Sequence, residues 1–231
     1  MTNTDTATGS LTELRALLNV DDEQWQTIVA WLIAALLPGI TRPALFLTGE
    51  QCSGKSVTAK MLQHLVDPGA PLHPLPADED AWIAVVDAAR VVAFNDVDRL
   101  TDWQSDALCA AISGATVIKR PLFTEAAPEP PADRAFILAG TLHPEQIRPD
   151  LAERLVVVEL PLLTERRPQP DLWQTYEEAR PRILAALLDL LSAVLGKLTP
   201  AAREKAARGD IPAGRMADWS LVVTALEETT A

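Results

Sequence analysis

Apolar and polar positions change period several times along this chain, and each change marks an element. From Leu11 to Leu37 the apolar residues recur at helical spacing, with Trp25, Ile28, Val29, Leu32 and Leu36 on one face. Asp21 or Asp22 stands where a cap belongs, and Pro38-Gly39 ends the run. "PALFLTG" then reads as a short buried strand stopped by Gly49. Gly54 to Val66 is helical, and "DPGAPLHPLP" is a Pro-rich loop. Asp78 to Ala89 is helix or mixed, and "VVAFND" is a second buried strand. Thr101 to Ser113 is a helix with Thr101 as its cap. "TVIKRPLF" alternates like one arm of a hairpin, with "TEAAPEPPAD" at its tip. "AFILAG" and "LVVVEL" are two further short buried strands. Beyond Thr164 the pattern is helical over Asp171–Arg180, Pro181–Lys197, Ala201–Arg208 and Met216–Glu227, with Pro181 suited to the first turn of a new helix. Residues 1–10 are polar and read as a loose tail.

Apolar strands alternating with helices predict an α/β fold with a mostly parallel sheet covered on both faces. The organisation expected is a tail over 1–10, an N-terminal helical segment over 11–40, a core over 41–165 and a C-terminal helical region over 166–231. Ligands on such sheets sit at the carboxyl ends of the strands.

Composition narrows the function. With 231 residues and 48% hydrophobic content, the chain can bury a sizeable core. The formal net charge of −12 disfavours a monomer that grips nucleic acid over its whole surface, but not a ring with a locally basic pore. Cys52 and Cys109 form no disulfide framework, which fits a reducing cytoplasm. The N-terminus lacks the pattern of a secretory signal. The apolar run "IVAWLIAALLPGI" is too short to span a bilayer and is preceded by "DDEQ", so a buried helix is expected and no membrane partner.

The loop after the first strand carries the chemistry. Gly49-Glu50-Gln51-Cys52-Ser53-Gly54-Lys55-Ser56, followed by Val57, matches G-x-x-x-x-G-K-[ST] in full. The glycines permit a curled backbone whose N–H groups point inward as an anion nest. The following helix aims its positive end at the same point. Lys55 is expected on the β- and γ-phosphates and Ser56 on Mg²⁺. Cys52 reads as a small side chain at a permissive position rather than a redox thiol. A metal carboxylate is expected at the end of a neighbouring strand, and "VVAFNDVD" supplies Asn95, Asp96 and Asp98, with Asp96 the best placed.

Taken with "VVAFNDVDRLTDWQSDALCAAISG", "RAFILAGT", "RPDLAERLVVVELP" and "EEARPRILAALLDLL", the loop resembles the P-loop ATPases of phage and integrated elements. These are the superfamily 3 and primase-associated (D5-like) helicases within the AAA+ group. The resemblance spans roughly Leu11 to Trp219. It implies an AAA+ type P-loop NTPase sheet, ATP with Mg²⁺, and a homo-oligomeric ring, often a hexamer, on nucleic acid. The Walker B acids fall on Asn95 and Asp96, which departs from a pattern that starts with Asp. The polar sensor position falls on Ala139, a second departure, with Thr141 nearby. The arginine finger falls on Arg154, and the DNA-touching hairpin residues fall on Lys119 and Arg120. A second nucleotide sensor at Arg182 is the minority reading beside a solvated helix face.

Three function classes follow. The first is a ring-forming, helicase-like ATPase of a mobile element, working with single-stranded nucleic acid and a primase or other replication partner. The second is an ATP-binding assembly switch with slow or no turnover, favoured by Asn95 and Ala139. The third, a small P-loop kinase, needs a basic lid, and "FTEAAPEPPADR" is acidic and Pro-rich.

Overall fold

The computed structural model describes residues 4–114, 133–198 and 216–230. The expected hairpin arm with Lys119 and Arg120, most of its tip, and the expected helix Ala201–Arg208 lie outside the described residues. A helical pair, α1 (Thr4–Leu17) and α2 (Asp22–Leu36), leads into β1 (Ala44–Thr48) and α3 (Lys55–Val66). Then come β2 (Leu72–Pro74), α4 (Glu79–Asp87), β3 (Val91–Asn95), α5 (Asp102–Ile112) and β4 (Ala135–Ala139). After a 3₁₀ turn at Pro144–Gln146 follow α6 (Pro149–Ala152), β5 (Leu155–Glu159), α7 (Gln169–Lys197) and α8 (Ala217–Thr230).

The strands form one five-stranded sheet in the order β2-β3-β4-β1-β5, and every pair is parallel. Its two faces follow from the strand period of two. Leu45, Leu47, Val91, Ala93, Ile137 and Val158 pack against α1, α2, α3, α7 and α8. Phe46, Val92, Phe94, Phe136 and Leu138 face the other way, onto Trp82 and Val86 of α4, Leu108 of α5 and Leu151 of α6. Large side chains such as Phe46 and Phe136 are buried, each stabilising the fold by about 1.5–3 kcal/mol. The fold class expected from the sequence is the one observed: α/β, a parallel P-loop type sheet between helices, with a helical C-terminal part.

Local chemistry sets the boundaries. Asp21 accepts from the Gln24 backbone N–H while Gln24 Oε1 accepts from that of Asp21, a capping box that starts α2. Thr101 and Gln104 do the same for α5. Trp31, fully buried, satisfies its indole N–H with the Pro43 carbonyl at 3.1 Å.

Four details differ from the sequence reading. Helix α1 begins at Thr4, inside the segment read as a tail and earlier than the expected start at Leu11. The Pro-rich loop contains a short strand, β2; it lies at the sheet edge, where Pro74 needs to donate nothing outward. β5 is the opposite edge rather than a fully buried strand, and Val157 is 44% exposed. Finally, α7 runs unbroken through Pro181. Packing on both sides holds it: Tyr176, Ile183 and Leu187 are buried, and the Tyr176 hydroxyl donates to the Met61 carbonyl at 3.2 Å. This outweighs the one backbone hydrogen bond that proline removes.

Candidate nucleotide-binding site

Backbone hydrogen bonds knit together the loops that leave the carboxyl ends of the strands. Gly140 N–H donates to Leu47 at 3.0 Å, Val97 N–H to Ala139 at 3.1 Å, and Leu160 N–H to Thr48 at 2.8 Å. The buried Thr48 hydroxyl adds a bond to the Leu142 carbonyl at 3.0 Å. From β1 the chain crosses to one side of the sheet, and from β4 it crosses over β1 to the other side. A cleft of about 880 Å³ opens at this topological switch.

Gln51, Cys52 and Gly54 of the loop 49–54 line this cleft. Gly49 has φ +137° and Gly54 φ +91°, left-handed angles that side chains resist. A Cβ on Gly49 would also lie 2.5 Å from the Leu160 carbonyl oxygen. Cys52 adopts φ 69°, so its position is less permissive than the sequence suggests. Gly54 caps α3 with no side-chain hydrogen bond, so the first N–H groups of this helix remain available to an anion. Lys55 Nζ donates to the carbonyls of Gly49 at 2.9 Å and Glu50 at 2.6 Å and to Ser53 Oγ at 3.2 Å. Burial lowers the pKa of Lys55 from its ordinary value, with Cys52 opposing.

Of the residues the sequence singles out, Gln51, Cys52, Gly54, Lys55, Ser56 and Val57 line the cleft. So do Asn95 and Asp96 at the end of β3, with Asp98 just beyond. Asp96 turns the chain with φ 56°, which an Asp tolerates better than most residues. Gly49, Glu50 and Ser53 build the loop from behind and do not line the cleft. Ala139 and Thr141 line it, and Ala139 offers no polar group.

Arg154 lies elsewhere. Its carbonyl accepts from the Ala44 N–H at 2.9 Å, so it sits at the opening of β1 and β5. A strand of five residues puts about 15 Å between that end and the loop. Its guanidinium bonds Ser113 Oγ at 3.0 Å and the Asp150 carbonyl. Arg182 is bound to Glu13 of α1 and does not line the cleft.

Arg166, Arg167 and Asn19 are among the cleft residues that the sequence reading passed over. Arg166 and Arg167, between β5 and α7, line the cleft with Lys55. They bring positive charge, beside Glu165 in the same lining, to a chain of net charge −12, and the Glu165-Arg166-Arg167 run between strand and helix was a visible signal. Asn19, at the joint of α1 and α2, donates from Nδ2 to the Ser53 carbonyl at 3.3 Å and the Pro161 carbonyl at 2.5 Å. Gln24 Nε2 adds a bond to the Glu159 carbonyl at 2.5 Å. The N-terminal helical pair is therefore bonded to the phosphate-type loop and to the end of β5, a long-range pairing that no local pattern encodes.

Among the described residues no helix is long and apolar enough to cross a membrane. The apo structure of the NrS-1 C-terminal region is similar to this chain at a TM-score of 0.49 and 16% identity, covering 78% of this chain and 45% of that one. A DNA polymerase III gamma subunit-related protein from Thermotoga maritima is similar at 0.36 and 15% identity, covering 83% of this chain and 69% of that one. This chain thus spans less than half of the first of these structures. No curated protein matches. The family model for the actinomycete integrative conjugative element replication protein matches residues 11–231, nearly the whole chain. Replication proteins of mobile elements are the broad class that the sequence resemblance implied, and this chain belongs to the actinomycete integrative conjugative element replication protein family.

Proposed function

We propose that the chain binds ATP with Mg²⁺ in the cleft above β1 and hydrolyses it as a ring-forming, helicase-like motor of its element's replication. The observation that carries this is the uncapped start of α3, with Lys55 and Ser56 beside it, facing Asn95, Asp96 and Asp98 across one cleft. Backbone N–H groups of the loop and of the first turn of α3 hold the β- and γ-phosphates, and Lys55 exchanges its loop acceptors for phosphate oxygens. Arg166 and Arg167 line the same cleft and add positive charge to it.

The donor set fits a magnesium ion: a hydroxyl at Ser56 and carboxylates at Asp96 and Asp98 line the same cleft. The ion would be held by Ser56 and Asp96 and would neutralise charge on the terminal phosphates. Asp96, with Asn95, orients the attacking water. The water oxygen bonds to the γ-phosphorus, the β–γ bridging P–O bond breaks, ADP leaves, and the water's proton passes to the acid or to phosphate. Arg154 faces away from its own cleft. Its role is to stabilise the transferring phosphoryl group in the cleft of an adjacent copy. Lys119 and Arg120 are the candidate contacts to single-stranded nucleic acid inside the ring, and a primase or other replication protein is the expected partner.

A second reading has its own observation. Ala139 stands in the cleft where a polar side chain would position water, and Asn95 precedes the only strand-end acid of β3. On this reading the chain binds ATP and assembles without rapid turnover. ATP hydrolysis by the purified chain, with and without single-stranded DNA, separates the two. DNA-stimulated turnover supports the motor. Tight binding with turnover that DNA leaves unchanged supports the switch.

A further inference from the structure

We propose that Asn19 selects adenine over guanine in this cleft, its Oδ1 accepting a hydrogen bond from the exocyclic 6-amino group of the base. The inference rests on the nucleotide reading of the cleft given above and names the residue that reads the base. Asn19 lines the cleft at the joint between α1 and α2. Both groups opposite its amide are carbonyl oxygens, those of Ser53 and Pro161 at 3.3 and 2.5 Å. Only the nitrogen can face two acceptors, so the amide orientation is fixed and both of its hydrogens are engaged. What remains for a ligand is an acceptor alone. A 6-amino group offers the matching donor, whereas the 6-oxo group of guanine presents a second acceptor.

The surroundings suit a flat apolar ring. Leu17, Leu18, Leu163 and Leu172 line the cleft together with Asn19. Leu163 lies over the phosphate-type loop: its Cδ1 is 3.7 Å from the point a Cβ on Gly54 would occupy. It is a large apolar side chain left 37% exposed, which a stacked base would cover. Asn19 is bonded to Ser53, the residue just before Gly54. The base reader and the phosphate loop are thus one hydrogen-bonded unit, and the fit of the base is felt at the loop.

The test is calorimetric titration of the full chain, with magnesium present, using ATP, purine riboside triphosphate, ITP and GTP. All four carry the same triphosphate. ATP is expected to bind tightest, the analogue lacking the amino group about tenfold weaker, and ITP and GTP about a hundredfold weaker. In Asn19→Ala the spread should collapse to about threefold or less. Equal binding of all four by the unaltered chain would overturn the inference, as would a spread that survives in Asn19→Ala. If Asn19→Ala does not fold, the analogue series on the unaltered chain decides alone. The underlying reading fails separately, and this inference with it, if no triphosphate binds or if Lys55→Ala binds ATP as well as the unaltered chain. Loss of binding in Lys55→Ala together with indifference to the base sinks only the role of Asn19.

Discussion

The carbonyl oxygen of Val97 lies 1.8 Å from the point that a Cβ on Gly140 would occupy. The turns that follow β3 and β4 are therefore in backbone contact, locked further by the Leu142 N–H donating to the same Val97 carbonyl at 3.1 Å. This contact sets where Asp96 and Thr141 stand in the cleft.

Replacing Gly140 with Ala forces that contact apart. No flexible side chain can absorb the shift, because the neighbour is backbone. We expect Gly140→Ala to lose about 2–3 kcal/mol of stability and to weaken Mg·ATP binding as well. Urea unfolding and nucleotide titration check this. Unchanged stability would mean that the two turns are not in contact.

The Arg154 prediction concerns neighbouring copies. Arg154→Ala should reduce ATP turnover by about a thousandfold while leaving ATP binding nearly intact. Mixing Arg154→Ala with Lys55→Ala should restore part of the activity, because one variant supplies the intact cleft and the other the arginine. Loss of binding in Arg154→Ala, or no recovery in the mixture, would contradict a role across subunits.

Thr101, three residues beyond Asp98 and not part of the cleft lining, supplies a structural control. Its hydroxyl caps α5. Thr101→Ala should cost about 1 kcal/mol in chemical unfolding and leave nucleotide affinity unchanged. A shift in affinity would show that α5 is coupled to the site.

His64 predicts a pH dependence. Its Nδ1 lies 3.2 Å from the Tyr176 hydroxyl, joining α3 to α7, and its Nε2 lies 3.7 Å from Glu177. Burial lowers its pKa from the ordinary 6.5, Glu177 opposes, and Arg180 and Lys60 add to the lowering. The unfolded chain therefore takes up the proton first as pH falls. The contribution to stability is complete above pH 6.5 and is lost as pH falls below it through the folded-state value. His64→Gln should flatten the drop in melting temperature between about pH 7.5 and 5.5 relative to the unaltered chain. Parallel curves for the two proteins would contradict it.

The sequence was legible where chemistry is local. Asp21 and Thr101 announce their helices because a cap needs only residues three positions away. The Gly49–Ser56 pattern places its own loop because φ values and charge are encoded within it. Pro181 misled because a rule of local backbone geometry was outweighed by packing around Tyr176 and Ile183, which only the folded chain assembles. β2 was hidden by its prolines, which an edge strand accepts. Asn19 was illegible for a related reason: its partners lie 34 and 142 residues away, so nothing near it in sequence marks it.

The most direct test of the whole account is titration of Mg·ATP into the purified chain and into Lys55→Ala, with thermal unfolding to show that the variant is folded. The account predicts saturable one-site binding that weakens by roughly a hundredfold or more when the ammonium group is removed. Equal affinity in a folded variant would contradict it.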